Sequence, residues 1–161
     1  MSNIDIVVSG LGWMGSGIGS IESAIGDLLG NAQREILLTA YAIGQADRIF
    51  DLLESALARG VRVMMVVNRP AKQHLSVQHR LEYLSNKYAH FHLYPFQPDE
   101  KQGDLHAKVL VADRQAALIG SSNLSYSGMV INHELAVLLR GTEASRIAEV
   151  IDGLISNIAP F

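Results

Sequence analysis

Glu35-Ile36-Leu37-Leu38-Thr39-Ala40-Tyr41 and Val61-Arg62-Val63-Met64-Met65-Val66-Val67 are two short, almost unbroken apolar runs. Runs of this length and composition read as strands buried on both faces. Between them Ile49, Phe50, Leu53, Ala56 and Leu57 recur at helical spacing, and Arg59 with Gly60 closes the helix. A strand, a helix and a strand joined by so short a crossover form a parallel unit, with the helix packed on one face of the sheet. Upstream, residues 3–8 read as a strand, residues 10–19 as a flexible glycine-rich loop, and Ile21, Ala24, Ile25, Leu28 and Leu29 as a helix face. Downstream, the pattern predicts a helix over 75–88 and strands over 90–94, 106–112, 116–120 and 134–140. Asp113-Arg114-Gln115 makes a tight turn between the second and third of these strands. Ile147, Val150, Ile151, Leu154 and Ile158 mark a terminal helix. The expected fold class is α/β, with a mixed, largely parallel central sheet flanked by helices on both faces, in a single domain over residues 1–161.

The composition narrows the chemistry. A chain of 161 residues with 48% hydrophobic content folds around its own core without a staple. The absence of cysteine excludes disulfides, thiolate metal sites and a cysteine nucleophile, and fits a reducing compartment. The first twenty residues carry no Lys or Arg, and glycines soon break their apolar run, so no secretory signal is read and the cytoplasm is the expected location. No apolar stretch approaches the roughly twenty residues that cross a bilayer. A net charge of -3 gives no global attraction to a polyanion, so any such binding has to come from a local patch.

His106 and Lys108 stand two apart in a segment read as a strand, which places them on one face. Two cations brought together on an otherwise apolar strand point to an anion between them. Ile119-Gly120-Ser121-Ser122-Asn123 ends the partner strand, where small residues let backbone N–H groups and the Asn123 amide approach an oxyanion. Glu134 opens the next strand, and a carboxylate against one nitrogen of His106 would fix its tautomer. Asp113 lies at an odd offset and suits the turn better than the substrate.

His106-x-Lys108-x4-Asp113-x6-Gly120-Ser121-x-Asn123, followed by Asn132-His133-Glu134, resembles the His-Lys-Asp motif of the phospholipase D superfamily. The resemblance implies that His106 is a nucleophile forming a phosphohistidine. It implies that Lys108 and Asn123 bind phosphoryl oxygens supported by Ser121, with Ser122 a further substrate-binding candidate, that Asp113 is structural, and that Glu134 orients His106. It implies no metal and no cofactor. Double displacement needs a second histidine to protonate the leaving oxygen, and only one motif is present. Single-motif members of the family meet this need with a homodimer that completes the site across a two-fold axis. The pair should then give a bell-shaped pH-rate profile.

These expectations add up to a metal-independent phosphodiesterase, foremost a nuclease cleaving DNA or RNA. The alternatives are a phospholipid-type phosphodiesterase or phosphatidyl transferase, and a non-cleaving nucleic-acid-binding subunit of a larger defence or restriction assembly. Trp13 in the glycine-rich loop could stack on a base. Arg69, with Lys72 and His74 nearby, could supply the local basic patch. Gly10-x-Gly12-x-x-Gly15 imitates a dinucleotide fingerprint, but the next strand carries no acidic residue at its end to hold a ribose. His90 and His92 share a face without an evident third metal ligand, and His133 is expected to point away from Glu134.

Overall fold

The computed structural model describes residues 3–13 and 15–158. The parallel unit read from the sequence is its centre: β3 (Glu35–Ala40), α2 (Asp47–Ala58) and β4 (Arg62–Asn68), with β3 and β4 paired in parallel from Glu35↔Arg62 to Ala40↔Val67. A second crossover through α3 (Leu75–Lys87) leads to β5 (Phe91–Phe96), parallel to β4 at the sheet edge. Pro95 is tolerated in this strand because an edge needs no donor from it.

The rest of the sheet is built differently. β6 (Val109–Ala112), β7 (Ala116–Gly120) and β8 (Glu134–Arg140) run antiparallel to their neighbours, and β1 (Ile4–Ser9) adds antiparallel to β8. A two-residue β2 (Gly19–Ser20) flanks β1, which gives the order β2-β1-β8-β7-β6-β3-β4-β5. Only β1–β2, β3–β4 and β4–β5 pair in parallel, and four pairings are antiparallel, so the sheet is mixed but not largely parallel. The reason is the tight turn at residues 113–115, since a connection that short can join only antiparallel strands.

Alternation along the central strands serves both faces. Ile36, Leu38 and Ala40 pack with α2, α3 and α1 (Ile21–Asn31), while Leu37, Val66, Val111 and Ala117 pack with α4 (Thr142–Ile155). Helices therefore cover both faces, as expected. α1 starts where the Ser20 hydroxyl accepts the Ser23 N–H at 3.0 Å. The glycine-rich segment is more ordered than a plain loop, because Leu11–Trp13 form a short 3-10 turn and Gly12 N–H donates to His133 Nε2 at 2.8 Å. A Cβ on Gly12 would stand 2.6 Å from that nitrogen, so only glycine allows this approach.

Register decides where the chemistry falls. Thr39 pairs with Val109, Val109 with Ile119, Gly120 with Ala136, and Ser9 with Glu134. The end of β3, the entry to β6, the end of β7 and the start of β8 thus meet at one end of the sheet. Asp113 follows Ala112 at the opposite end, about 16 Å along the strand from Lys108.

Candidate active site

The ladder of β6 begins at Val109, three residues later than expected, so His106 and Lys108 lie in an extended lead-in. Two buried polar side chains hold that lead-in. The Thr39 hydroxyl donates to Ala107 O at 2.8 Å and accepts from Val109 N–H at 3.1 Å. Asn68, only 4% exposed at the end of β4, accepts the Leu105 N–H at 3.0 Å. Gln73 secures Asn68 in turn, donating to Asn68 O and Tyr41 O at 2.9 Å each.

His106 itself is exposed, and its ring lies 4.3 Å from that of Tyr41. Lys108 Nζ is 3.0 Å from His106 Nδ1 and 2.8 Å from His106 O. An ammonium has only donors, so in this arrangement Nδ1 is the acceptor. Burial pushes the Lys108 ammonium below its ordinary range, and the Glu134 carboxylate opposes that shift in part. The pair therefore shares a side as expected, although a regular strand does not hold it there.

Glu134 does not sit against His106. Its carboxylate accepts a short hydrogen bond from Ser121 Oγ and a longer one, 3.5 Å, from Asn132 Nδ2. Ser121 Oγ also accepts the Leu135 N–H at 3.2 Å, which ties the end of β7 to the start of β8. Gly120 makes this closeness possible, since a Cβ there would come within 2.5 Å of both Ala136 Cβ and Leu135 O.

Asn123 and Ser122 line a narrow cleft with Tyr41 and Lys108, floored by Ile21, Leu118 and Ala136. Its interior of about 30 Å³ holds roughly one water, so a substrate would lie across its mouth. Asn123 Oδ1 is buried there with no hydrogen-bond partner among the described residues. A π-type turn at Ser127–Ile131, absent from the sequence reading, packs against the Asn123 backbone. The Ser9 hydroxyl, with one proton to share, lies 3.0 Å from Gly128 O and 2.8 Å from Asn132 O and fixes the turn, and Gly128 has room for no Cβ against Asn123 O.

Asp113 serves the fold. At φ 53 its carboxylate accepts the backbone N–H groups of Gln33, Arg34 and Glu35 at 2.9, 2.8 and 3.0 Å. Burial alone would raise its pKa, but those donors prevail and hold it below the ordinary range. Trp13 sits 6.3 Å from the His133 ring at the rim of the same sheet end, and Arg69 pairs through Nε with Asp104 at 2.7 Å beyond Tyr41. His133 is not incidental, because it anchors the glycine-rich loop. His90 Nε2 lies 2.8 Å from Leu57 O, a structural use of that side chain. Among the described residues no group of three or more His, Asp or Glu is placed to hold a metal ion.

A family profile described as "Cardiolipin synthase, PLD-like domain" matches residues 25–155, most of the sheet and every motif position. This chain belongs to the phospholipase D superfamily. The phospholipase D fold is shared end to end with the family member Nuc from Salmonella typhimurium, at a TM-score of 0.77 and 19% identity, covering 98% of this chain and 97% of that one. In sequence, the DISARM protein DrmC of Bacillus paralicheniformis is 32% identical over 137 residues, which cover 84% of this chain and 56% of that protein. Cardiolipin synthase A of Buchnera aphidicola subsp. Acyrthosiphon pisum is 24% identical over 149 residues, 90% of this chain and 29% of that enzyme. This phospholipase D-like chain thus spans little more than half of one curated relative and less than a third of the other.

Proposed function

We propose that this chain is a metal-independent phosphodiesterase acting on nucleic acid, with His106 from each of two copies forming one catalytic centre. The observation that carries the proposal is the exposed His106 at the sheet end, 3.0 Å from Lys108 Nζ beside the unsatisfied Asn123 amide, with one such histidine per chain. A His106 nitrogen attacks phosphorus, a P–N bond forms, and the P–O bond to the leaving group breaks. The second copy's protonated histidine gives its proton to the departing oxygen. Water then attacks the phosphohistidine and passes a proton back to that histidine as the P–N bond breaks.

Lys108 and Asn123 stabilise the phosphoryl oxygens, Lys108 exchanging Nδ1 for phosphate and Asn123 presenting Nδ2 after a half-turn about its last torsion. Ser122 shares the cleft, and Ser121 holds Glu134, whose charge opposes the lowering of the Lys108 pKa by burial. Two features support a second copy over the site. Leu11, Ile131 and Leu135 are exposed at this end of the sheet, Leu11 to 82%. The nucleophile is uncovered.

The family description keeps phospholipid phosphodiester chemistry as the second reading, although no helix among the described residues is long and apolar enough to cross a membrane. The likeness to DrmC supports a role within a larger defence assembly for the same nuclease centre. Labelled DNA, RNA and phosphatidylcholine incubated in EDTA with the unaltered chain and with His106→Ala test the proposal. Cleavage of nucleic acid by the former alone is expected. Cleavage of lipid only, or loss of all activity in chelator, contradicts it.

A further inference from the structure

Beyond Tyr41, on the side away from Asn123, a groove of about 420 Å³ opens between the end of β4 and the segment leading to His106. Asn68, Arg69, Lys72, Gln73 and Asp104 line it, and Tyr41 is the wall shared with the His106 ring. Arg69 takes the left-handed conformation at φ 41, which side-chain-bearing residues seldom adopt and which concentrates at functional sites. Two backbone hydrogen bonds hold it there: its N–H donates to Phe96 O and its carbonyl accepts the Lys72 N–H, both at 2.8 Å.

The side chain is held with equal care. Asp104 accepts Arg69 Nε at 2.7 Å and is itself braced by Asn68 Nδ2 at 3.3 Å. This grip leaves both terminal amino groups of the guanidinium without a hydrogen-bond partner among the described residues, and Lys72 Nζ likewise. Asp104 stands two residues before His106, so one short segment carries both the brace for Arg69 and the nucleophile. In a chain of net charge -3, a groove beside the reacting centre whose lining sets Arg69 and Lys72 against the single carboxylate of Asp104, with both guanidinium amino groups still free to donate, stands out as an anion site.

We infer that this groove binds the phosphate next to the scissile one on a nucleic-acid strand, with the Arg69 fork on two of its oxygens and Lys72 as a point charge beside it. The inference rests on the nuclease reading and sharpens it. A glycerophospholipid with a single phosphodiester has nothing to place in the groove, whereas a polynucleotide always brings a neighbouring phosphate. Asp104 acts as a positioning residue, fixing the fork by its Nε edge and keeping the remaining donors turned to the ligand.

The test uses His106→Ala protein, so that ligands survive, and compares thymidine dinucleotide, with one phosphodiester, with the trinucleotide, with two. The second phosphate should tighten Kd about ten-fold at low salt, against the two-fold that counting registers alone provides. In His106→Ala/Arg69→Ala/Lys72→Ala the ratio should fall to about two, and the salt dependence of trinucleotide binding should flatten by roughly 0.7 for each cation withdrawn from the phosphate. Lys72→Glu in the His106→Ala background should also lower the ratio, and its side chain is exposed and makes no hydrogen bond among the described residues, so the fold should tolerate the change. A ratio that stays at ten in both variants, or is already near two with the groove unaltered, overturns the inference. So does displacement of the trinucleotide by phosphatidylglycerol vesicles in preference to longer oligothymidylate at equal phosphate. A ten-fold ratio with no cleavage of DNA or RNA by the intact chain would sink the nuclease reading instead and leave the groove standing.

Discussion

Replacing Asp113 separates its structural role from a catalytic one. Asp113→Ala removes a carboxylate that accepts three backbone N–H groups and that tolerates φ 53 better than alanine does. Two of those donors, on Gln33 and Arg34, are exposed and recover water, while the Glu35 N–H is half-buried and loses more. With the added backbone strain, the loss comes to about 3 kcal/mol. For a chain of this size that corresponds to a drop of about 6 to 12 °C in Tm, read at fixed protein concentration because an oligomer's Tm depends on it. Asp113→Asn keeps an acceptor and the left-handed preference, and should lose only about 1 kcal/mol. The carboxyl is held below its ordinary range, so its stabilisation is complete above the unfolded pKa of about 3.9 and fades as pH falls through the lower folded value. Urea unfolding of Asp113→Asn and the unaltered chain should therefore differ at pH 7 and converge toward pH 2. Both variants should retain kcat within a few-fold wherever they are folded. An Asp113→Asn protein with unchanged Tm and a thousand-fold loss of kcat would refute this assignment.

Three further outcomes follow from the site. Burial lowers the Lys108 pKa and the Glu134 carboxylate opposes that shift, so Glu134→Gln should lower the Lys108 pKa further, read by NMR titration of its ammonium against the unaltered chain. Gly120→Ala drives a Cβ to 2.5 Å from Ala136 Cβ and Leu135 O, so strand separation should cost about 2 to 3 kcal/mol in urea unfolding and lower kcat at least ten-fold by shifting Ser121 and Asn123. Thr39→Val conserves volume but orphans Ala107 O and Val109 N–H, and should cost about 1 to 3 kcal/mol and lower kcat by more than it raises KM.

The parallel half of the sheet was legible because β3, α2 and β4 are local, strongly patterned and cleanly capped. The antiparallel half was legible in part: the turn at residues 113–115 already required β6 and β7 to oppose one another, and the parallel expectation gave that turn too little weight. Nothing local shows β1 pairing with β8, a contact spanning most of the chain. The motif located His106, Lys108, Asn123 and Glu134, and register brought them to one end of the sheet. It misplaced the partner of Glu134, because Ser121 reaches that carboxylate only through the β7–β8 register and the close approach at Gly120. Thr39, Asn68 and Tyr41 went unread, although a signal existed. A threonine and an asparagine at the ends of buried apolar strands must find partners, and here those partners are the backbone on either side of His106.

Subunit mixing tests the half-site most directly. Unaltered and His106→Ala chains, co-unfolded in equal amounts and refolded together, should form homodimers and heterodimers at random if the chain works as the proposed dimer. If one catalytic centre needs His106 from both copies, activity per total protein on labelled DNA should fall to about one quarter of that of the unaltered chain, since only that fraction of dimers keeps both histidines. Activity of about one half would mean that each chain works alone, and would contradict the account.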